Sequence, residues 1–405
     1  MKFEEILKTL KPINTIEKID IVKDGKVIHN ISNVQGGRGS LQVLANLVDF
    51  DNGNIDKTLA IKGLEMFCEH TADAVANRGK HPNIDMLRSI GEKDWVKAVV
   101  HYNVPSGLEE SVNKYTSLKK EGKLDSDREG ALAVFNKVMD LLEAGFLRTA
   151  QIIDGKWTAN QWVKNGIMLG FPLGKIIVYN GSSDIGFTDK ETFPIRKLTG
   201  NEGFRVVPPA AGLRRGAYAG QGCVFMPPAY ANVGAHIGAG TMVENLAGSC
   251  AQIGRDSHIS AGAIIGGVLD PIEATPVILG DHVLLGEGSG VTQGARLGDL
   301  VTLAPGVHIS KATPILDPIN NVAYTSKGTA ELITHEMSGG IRTFSVGKIL
   351  VEKDPSYGPE IPAGALIIPS MSVSSQGTLK LTPLVAKYIR SASERAYALE
   401  EALRG

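Results

Sequence analysis

Four histidines recur through the centre of the chain, His236, His258, His282 and His308. Three converging imidazoles could hold a catalytic metal ion. Such a site needs at least two ligands close together in sequence, and these four are separated by 22, 24 and 26 residues. With no close pair, each is expected at a surface or corner position, and no metal is expected. His258 is the one most worth testing, because it lies near a break in the pattern described below. Residues 35–40, Gln-Gly-Gly-Arg-Gly-Ser, could cradle a phosphate, but they lack the lysine and the spacing of a P-loop and read as a flexible turn. Trp157 and Trp162 could form a ligand platform, although core packing is the plainer reading. The three cysteines, Cys68, Cys223 and Cys250, are odd in number and sparse, which argues against a disulfide framework and for a reducing compartment.

The scaffold is read by counting. Every sixth residue from Val207 is apolar: Leu213, Ala219, Phe225, Ala231, Ile237 and Val243 follow. The count slips and restarts at Ile253, Ile259 and Ile265. It slips again and runs through Leu279, Leu285, Val291, Leu297, Leu303 and Ile309. At 43% apolar content, sixteen hits in sixteen places have odds of roughly one in a million. Neither a helix nor a simple strand has a period of six. The pattern predicts a hexapeptide-repeat parallel β-helix, a three-sided prism with eighteen residues per coil, over residues 203–309. Glycine often follows the apolar position, as at Gly238, Gly254, Gly280, Gly286 and Gly298, where corners must turn. The two slips, at 245–251 and 269–277, are expected to be loops or bulges leaving the prism.

Around this core the expectations are coarser. Residues 1–120 read as an N-terminal α/β domain of unassigned role, with a hairpin over 18–31 and a helix over 56–76. Residues 121–202 read as a mixed connecting domain. Its main helix is expected to start with a capping box of Ser126 and Glu129, to bury Val134, Phe135, Val138, Leu141 and Leu142, and to stop at Gly145. Residues 310–360 read as a loop excursion. Ile361, Ile367 and Val373 restore the count for a last coil, and a terminal helix from Thr382 is expected to cap the open end. The fold class is thus mainly β. The net charge of −1 gives no reason to expect a nucleic-acid or membrane surface. The charged N-terminus and the lack of an 18-residue apolar stretch suggest a cytoplasmic protein without a membrane span.

Longer motifs then point to a family. GFRVVPPAA (203–211) followed by RRGAY, GTMVENLAGSCAQIG (240–254), IIGGVLD (264–270) and IDGKWTANQWVK (153–164) strongly resemble the tetrahydrodipicolinate N-succinyltransferases. The resemblance runs from about residue 140 to 309 and again around IPAG (361–364). It implies a left-handed β-helix and a homotrimer with sites between neighbouring prisms. It also implies succinyl-CoA as co-substrate, without a prosthetic group, and a small dicarboxylate acceptor in diaminopimelate and lysine synthesis. By position in these motifs, Glu244 is the acidic catalytic residue, acting as a base or through an acyl anhydride, and Gly267 offers a backbone N–H to the oxyanion. Arg205 grips a substrate carboxylate and Ser249 touches substrate. Glu287 and Ala304 lie where backbone contacts to the pantetheine arm are expected. Cys250 reads as a small buried residue. The sequence departs from many members at Gly290, where they carry a second glutamate, so an acid/base pair is not expected. An acetyl-CoA-dependent enzyme and a non-catalytic trimeric scaffold are the alternatives.

Overall fold

The structure is a computed structural model. It describes all residues except 1, 11–12, 14–15, 24–25, 48–53, 93, 103, 106, 154–155, 180–186, 199, 201, 270–274, 337–341, 374–378 and 395–405. The chain divides into two compact units, Met1–Ser106 and Gly107–Gly405.

In the first unit, strands Lys26–Ser32, Ile16–Lys23, Trp95–Tyr102 and Asn54–Asp56 form one antiparallel sheet in that order. The expected hairpin is present, with Ile19 opposite Ile31, while its Asp24-Gly25 tip lies outside the described residues. Ile16, Ile19 and Ile21 on one strand, with Leu41, Leu44 and Leu87 on helices, are buried. The helix expected over 56–76 is two helices, Lys57–Met66 and Glu69–Ala76. Asp56 starts the first by accepting the Leu59 N–H. The chain breaks at Cys68, whose φ of 48° no α-helix accommodates.

The second unit opens with helices Leu108–Lys120, Arg128–Glu143 and Gln161–Leu173, which pack on one another. Leu108–Lys120 therefore belongs with the connecting helices. The helix Arg128–Glu143 is capped by Asp127 instead of Ser126. The carboxylate accepts the Gly130 N–H and is itself held by the Tyr115 hydroxyl at 2.6 Å. The Ser126 hydroxyl donates to the Lys123 carbonyl in the preceding turn. Phe135, Val138, Leu141 and Leu142 are buried as expected, joined by Met139, and Gly145 ends the helix region at φ +80°.

The prism follows. Its strands are two residues long, and three parallel stacks form its walls. Wall one stacks Arg205–Val206, Val224–Phe225, Met242–Val243, His258–Ile259, Leu284–Leu285, Thr302–Leu303 and Ala365–Ile368. Wall two runs from Gly212–Leu213 through Leu246–Ala247 and Ile264–Ile265 to His308–Ile309. Wall three runs from Tyr218–Ala219 to Arg296–Leu297 and closes on Glu360–Ile361. The second residue of these pairs points inward, so the counted residues become one continuous core. The exception is at the start: Val206, not Val207, lies opposite Phe225. Gly220, Gly238, Gly254, Gly280 and Gly298 all follow wall three and turn one shared edge.

The two slips differ physically. Between Val243 and Ala247 the step is four residues instead of six, so the rung is shortened and nothing leaves the prism. Between Ile265 and Leu279 the step is fourteen, an eight-residue insertion partly outside the described residues.

Residues 310–360 are not a loop. Strands Ile315–Asp317, Val322–Thr325, Gly328–Glu336 and Arg342–Glu352 form an antiparallel meander that extends wall one into a 12-stranded sheet. The link is Leu384–Tyr388, a strand where a terminal helix was expected. Leu399 and Leu403 lie outside the described residues. Buried Asp317 ties the joint together. It accepts the Tyr388 hydroxyl at 2.7 Å, the Tyr324 hydroxyl at 2.9 Å and two backbone N–H groups at 3.1 Å.

Candidate functional site

Arg205, Val224, Met242 and His258 occupy successive rungs of one outward column on wall one. Glu244 follows Met242–Val243 directly. Its N–H donates to the Ile259 carbonyl at 2.9 Å, which locks the backbone, while its side chain keeps 26% exposure. The shortened rung begins here. The edge above, between Ile259 and Ile265, and the edge below, between Phe225 and Ala231, each have the full six-residue step. Glu244 therefore stands at a step in an otherwise regular edge. His258 Nε2 lies 3.5 Å from Glu244 Oε1. At a rung spacing of about 4.8 Å, Arg205 begins about 10 Å from Met242 and about 12 Å from Glu244, two residues further along.

Ser249 and Gly267 are brought together at the other end of wall two. Ser249 is buried, and its hydroxyl accepts the Val268 N–H at 3.1 Å. A methyl group on Gly267 would lie 2.5 Å from that hydroxyl oxygen and 3.0 Å from the Ser249 nitrogen. Only glycine lets the two turns approach so closely. The connecting domain holds this corner in place. Buried Gln252 donates from Nε2 to Thr149 Oγ1 at 2.9 Å and to the Cys250 carbonyl at 3.0 Å, and Arg148 Nε donates to Gln252 Oε1 at 2.8 Å. Burial pushes the Cys250 thiol up to about 12, which keeps it protonated and unreactive at neutral pH.

Glu287 and Ala304 share the Glu244 edge, further along the prism. Glu287 is exposed, and its carbonyl accepts the Gly306 N–H at 2.9 Å. Ala304 is fully buried and its N–H donates to the Ile367 carbonyl at 2.8 Å, so its amide belongs to the wall. Within one chain, the carboxylate of Glu244 and the Ser249–Gly267 pair lie at opposite ends of the Leu246–Ala247 rung and do not meet.

His236 departs from expectation: it is buried and stacks on Tyr218 at 4.4 Å between ring centroids. Trp157 receives the Arg148 guanidinium 5.4 Å from its ring, and Trp162 lies in the first turn of the helix Gln161–Leu173. Among the described residues no three His, Cys, Asp or Glu side chains gather as a metal site, and no helix is long and apolar enough to cross a membrane. The approach of His258 to Glu244 was missed in the sequence. Reading the first slip as a two-residue deletion would have found it, because that puts His258 on the rung directly above Met242.

Comparison with known proteins gives the family. Residues 107–173 match the family described as tetrahydrodipicolinate N-succinyltransferase N-terminal, and residues 276–311 match the hexapeptide repeat of succinyl-transferase. A 2,3,4,5-tetrahydropyridine-2,6-dicarboxylate N-succinyltransferase of Polynucleobacter asymbioticus is 35% identical over 277 residues, covering 66% of this chain and 88% of that protein. The chain belongs to the tetrahydrodipicolinate N-succinyltransferase family. Relatives of the same name are 32% identical in Idiomarina loihiensis, over 66% of this chain and 87% of theirs, and 38% identical in Chelativorans sp., over 52% and 76%. The prism is accordingly the left-handed β-helix of hexapeptide-repeat acyltransferases. Residues 3–101 match a separate family, described as an uncharacterized protein conserved in bacteria, so this succinyltransferase-family chain carries an additional N-terminal unit.

Proposed function

We propose that the chain transfers the succinyl group of succinyl-CoA to the amino group of ring-opened tetrahydrodipicolinate, a step of diaminopimelate and lysine synthesis. The observation that carries this reading is the placing of Glu244 at the shortened corner, two rungs from Arg205 on one wall. A seven-carbon dicarboxylate is about 7 Å long when extended. Arg205 can grip its distal carboxylate through a bidentate pair while its amine lies at Glu244. The amine nitrogen attacks the thioester carbon, forming C–N, and the carbonyl electron pair moves to oxygen. Glu244 takes the proton that the nitrogen loses. Collapse of the tetrahedral intermediate breaks C–S, and the proton passes to the departing CoA thiolate. The oxyanion is met by the Gly267 N–H beside Ser249. Because that corner is remote from Glu244 in one chain, the site is completed in a homotrimer, where the Glu244 edge of one copy faces the Ser249–Gly267 edge of the next. The pantetheine arm then lies along the edge that carries Glu287 and Ala304.

The test is acceptor-dependent thiol release from succinyl-CoA and from acetyl-CoA. Succinyl-CoA should be the productive donor, and Glu244→Gln should lower turnover by roughly 10² to 10⁴ with the assembly intact. No thiol release from succinyl-CoA in the presence of the acceptor would remove the reading.

A further inference from the structure

We infer that His258 is a positioning residue for Glu244, orienting its carboxylate so that one oxygen is held and the other faces the acceptor amine. The inference rests on the function proposed above. A glutamate side chain turns about three torsions, and a base must present an oxygen within hydrogen-bond reach of the proton that it takes. At the Glu244 corner the two missing residues remove the backbone that would otherwise flank the side chain. His258, on the rung above, supplies the constraint instead. Its Nε2 is shielded from solvent, makes no hydrogen bond among the described residues, and lies 3.5 Å from Glu244 Oε1, the charged acceptor beside it. The ring as a whole is 41% exposed, so it is not a core residue whose packing would explain its place. The strands on either side present Met242 and Leu284 to it, which offer an imidazole N–H at most a weak thioether acceptor. A small turn of either side chain closes that gap, and Nε2 donating to Oε1 then leaves Oε2 of Glu244 free for the substrate. Partners that orient metal-ligating side chains change activity by about 10- to 100-fold, and the same scale is expected for one that orients a carboxylate base.

The test uses the full chain and five proteins: wild type, His258→Ala, His258→Gln, Glu244→Gln and the Glu244→Gln/His258→Ala double variant. His258→Ala should lower kcat by about 10- to 100-fold, with the acceptor KM changed by less than about twofold. His258→Gln places an amide nitrogen near the former Nε2 and should recover most of that loss. In the Glu244→Gln background His258→Ala should cost nothing more, because the group that it orients is gone. A His258→Ala enzyme with wild-type kcat, a loss carried wholly by KM, or an equal loss in both backgrounds would each overturn the inference. If Glu244→Gln is inactive while His258→Ala is not impaired, only this inference fails. If Glu244→Gln itself turns over normally, the role of Glu244 falls as well.

Discussion

Gly267→Ala separates two jobs that one residue could hold, closing a corner and offering an N–H to an oxyanion. The new methyl would lie 2.5 Å from Ser249 Oγ and 3.0 Å from the Ser249 nitrogen. The hydroxyl can rotate away, but only by giving up the Val268 N–H that it now accepts at 3.1 Å. Val268 is fully buried, so its donor would be left without a partner, at about 1–3 kcal/mol. The contact with the Ser249 nitrogen cannot be relieved by a rotamer change and adds about 1–3 kcal/mol of overpacking. Gly267→Ala should therefore lose roughly 2–6 kcal/mol in guanidinium unfolding. In a Ser249→Ala background the hydroxyl and its hydrogen bond are already absent, so the same change should cost only the overpacking part. An unfolding midpoint equal to wild type would refute the close approach of the two turns. If stability falls and the kcat of the folded protein does not, Gly267 is a corner residue and nothing more.

Two further outcomes are expected. Inserting two residues after Asn245 restores the six-residue step of the neighbouring rungs, so circular dichroism should stay unchanged while thiol release falls by about 100-fold as Glu244 is displaced; full activity would show that the shortened corner is irrelevant. Burial raises the Tyr388 hydroxyl and lifts that of Tyr324 to about 12, above the value of about 10 for an unfolded tyrosine, so their stabilisation is complete below about pH 10 and is lost as pH climbs toward 12. The denaturation midpoint should fall over that window, and less steeply in Tyr324→Phe/Tyr388→Phe; an identical slope in the double variant would rule these two groups out.

The prism was legible because its period is imposed by geometry. A closed three-sided coil with two-residue strands leaves one main inward position in six, with a second, mostly small buried residue two places before it (Ala217, Cys223, Ala229, Ala235), and the thin core admits only apolar side chains at the main position. That rule holds from Leu213 to Ile367, through Ala219 and Ala231 as well as the bulky positions. It fails at Val207, where the first rung starts one residue earlier than the count. The excursion was harder because only the first half of its hairpin, at Ala330 and Leu332, buries one face, while Ile333–Glu336 is exposed and imposes no apolar alternation. Gly328–Glu336 and Arg342–Glu352 carry polar residues on either side, and their pairing is non-local. Leu384–Tyr388 has apolar residues that fit a helix as well as a strand, and its partners, Leu316 and the segment Ala365–Ile368, lie elsewhere in the sequence. Ser126 failed as a cap for a local reason: Asp127, one residue nearer the helix, is a better acceptor of the Gly130 N–H and is fixed by Tyr115.

The site was legible only as separate motifs, and the prism explains why. Flat walls carry stacked strands whose backbone groups bond along the stack, so chemistry is left to the edges. Glu244 lies on one edge, turned toward His258 on wall one, and Ser249 with Gly267 lies on the next. A rung and its corners separate them by on the order of 10 Å. A base and an oxyanion donor must both lie about 3 Å from atoms that are bonded to the same reacting centre or to its neighbour. One chain cannot place both groups on one acyl carbon. A reading that uses both residues therefore requires a second copy to bring its edge across, whereas one that uses Glu244 alone does not, and turnover by a monomeric form would decide between them.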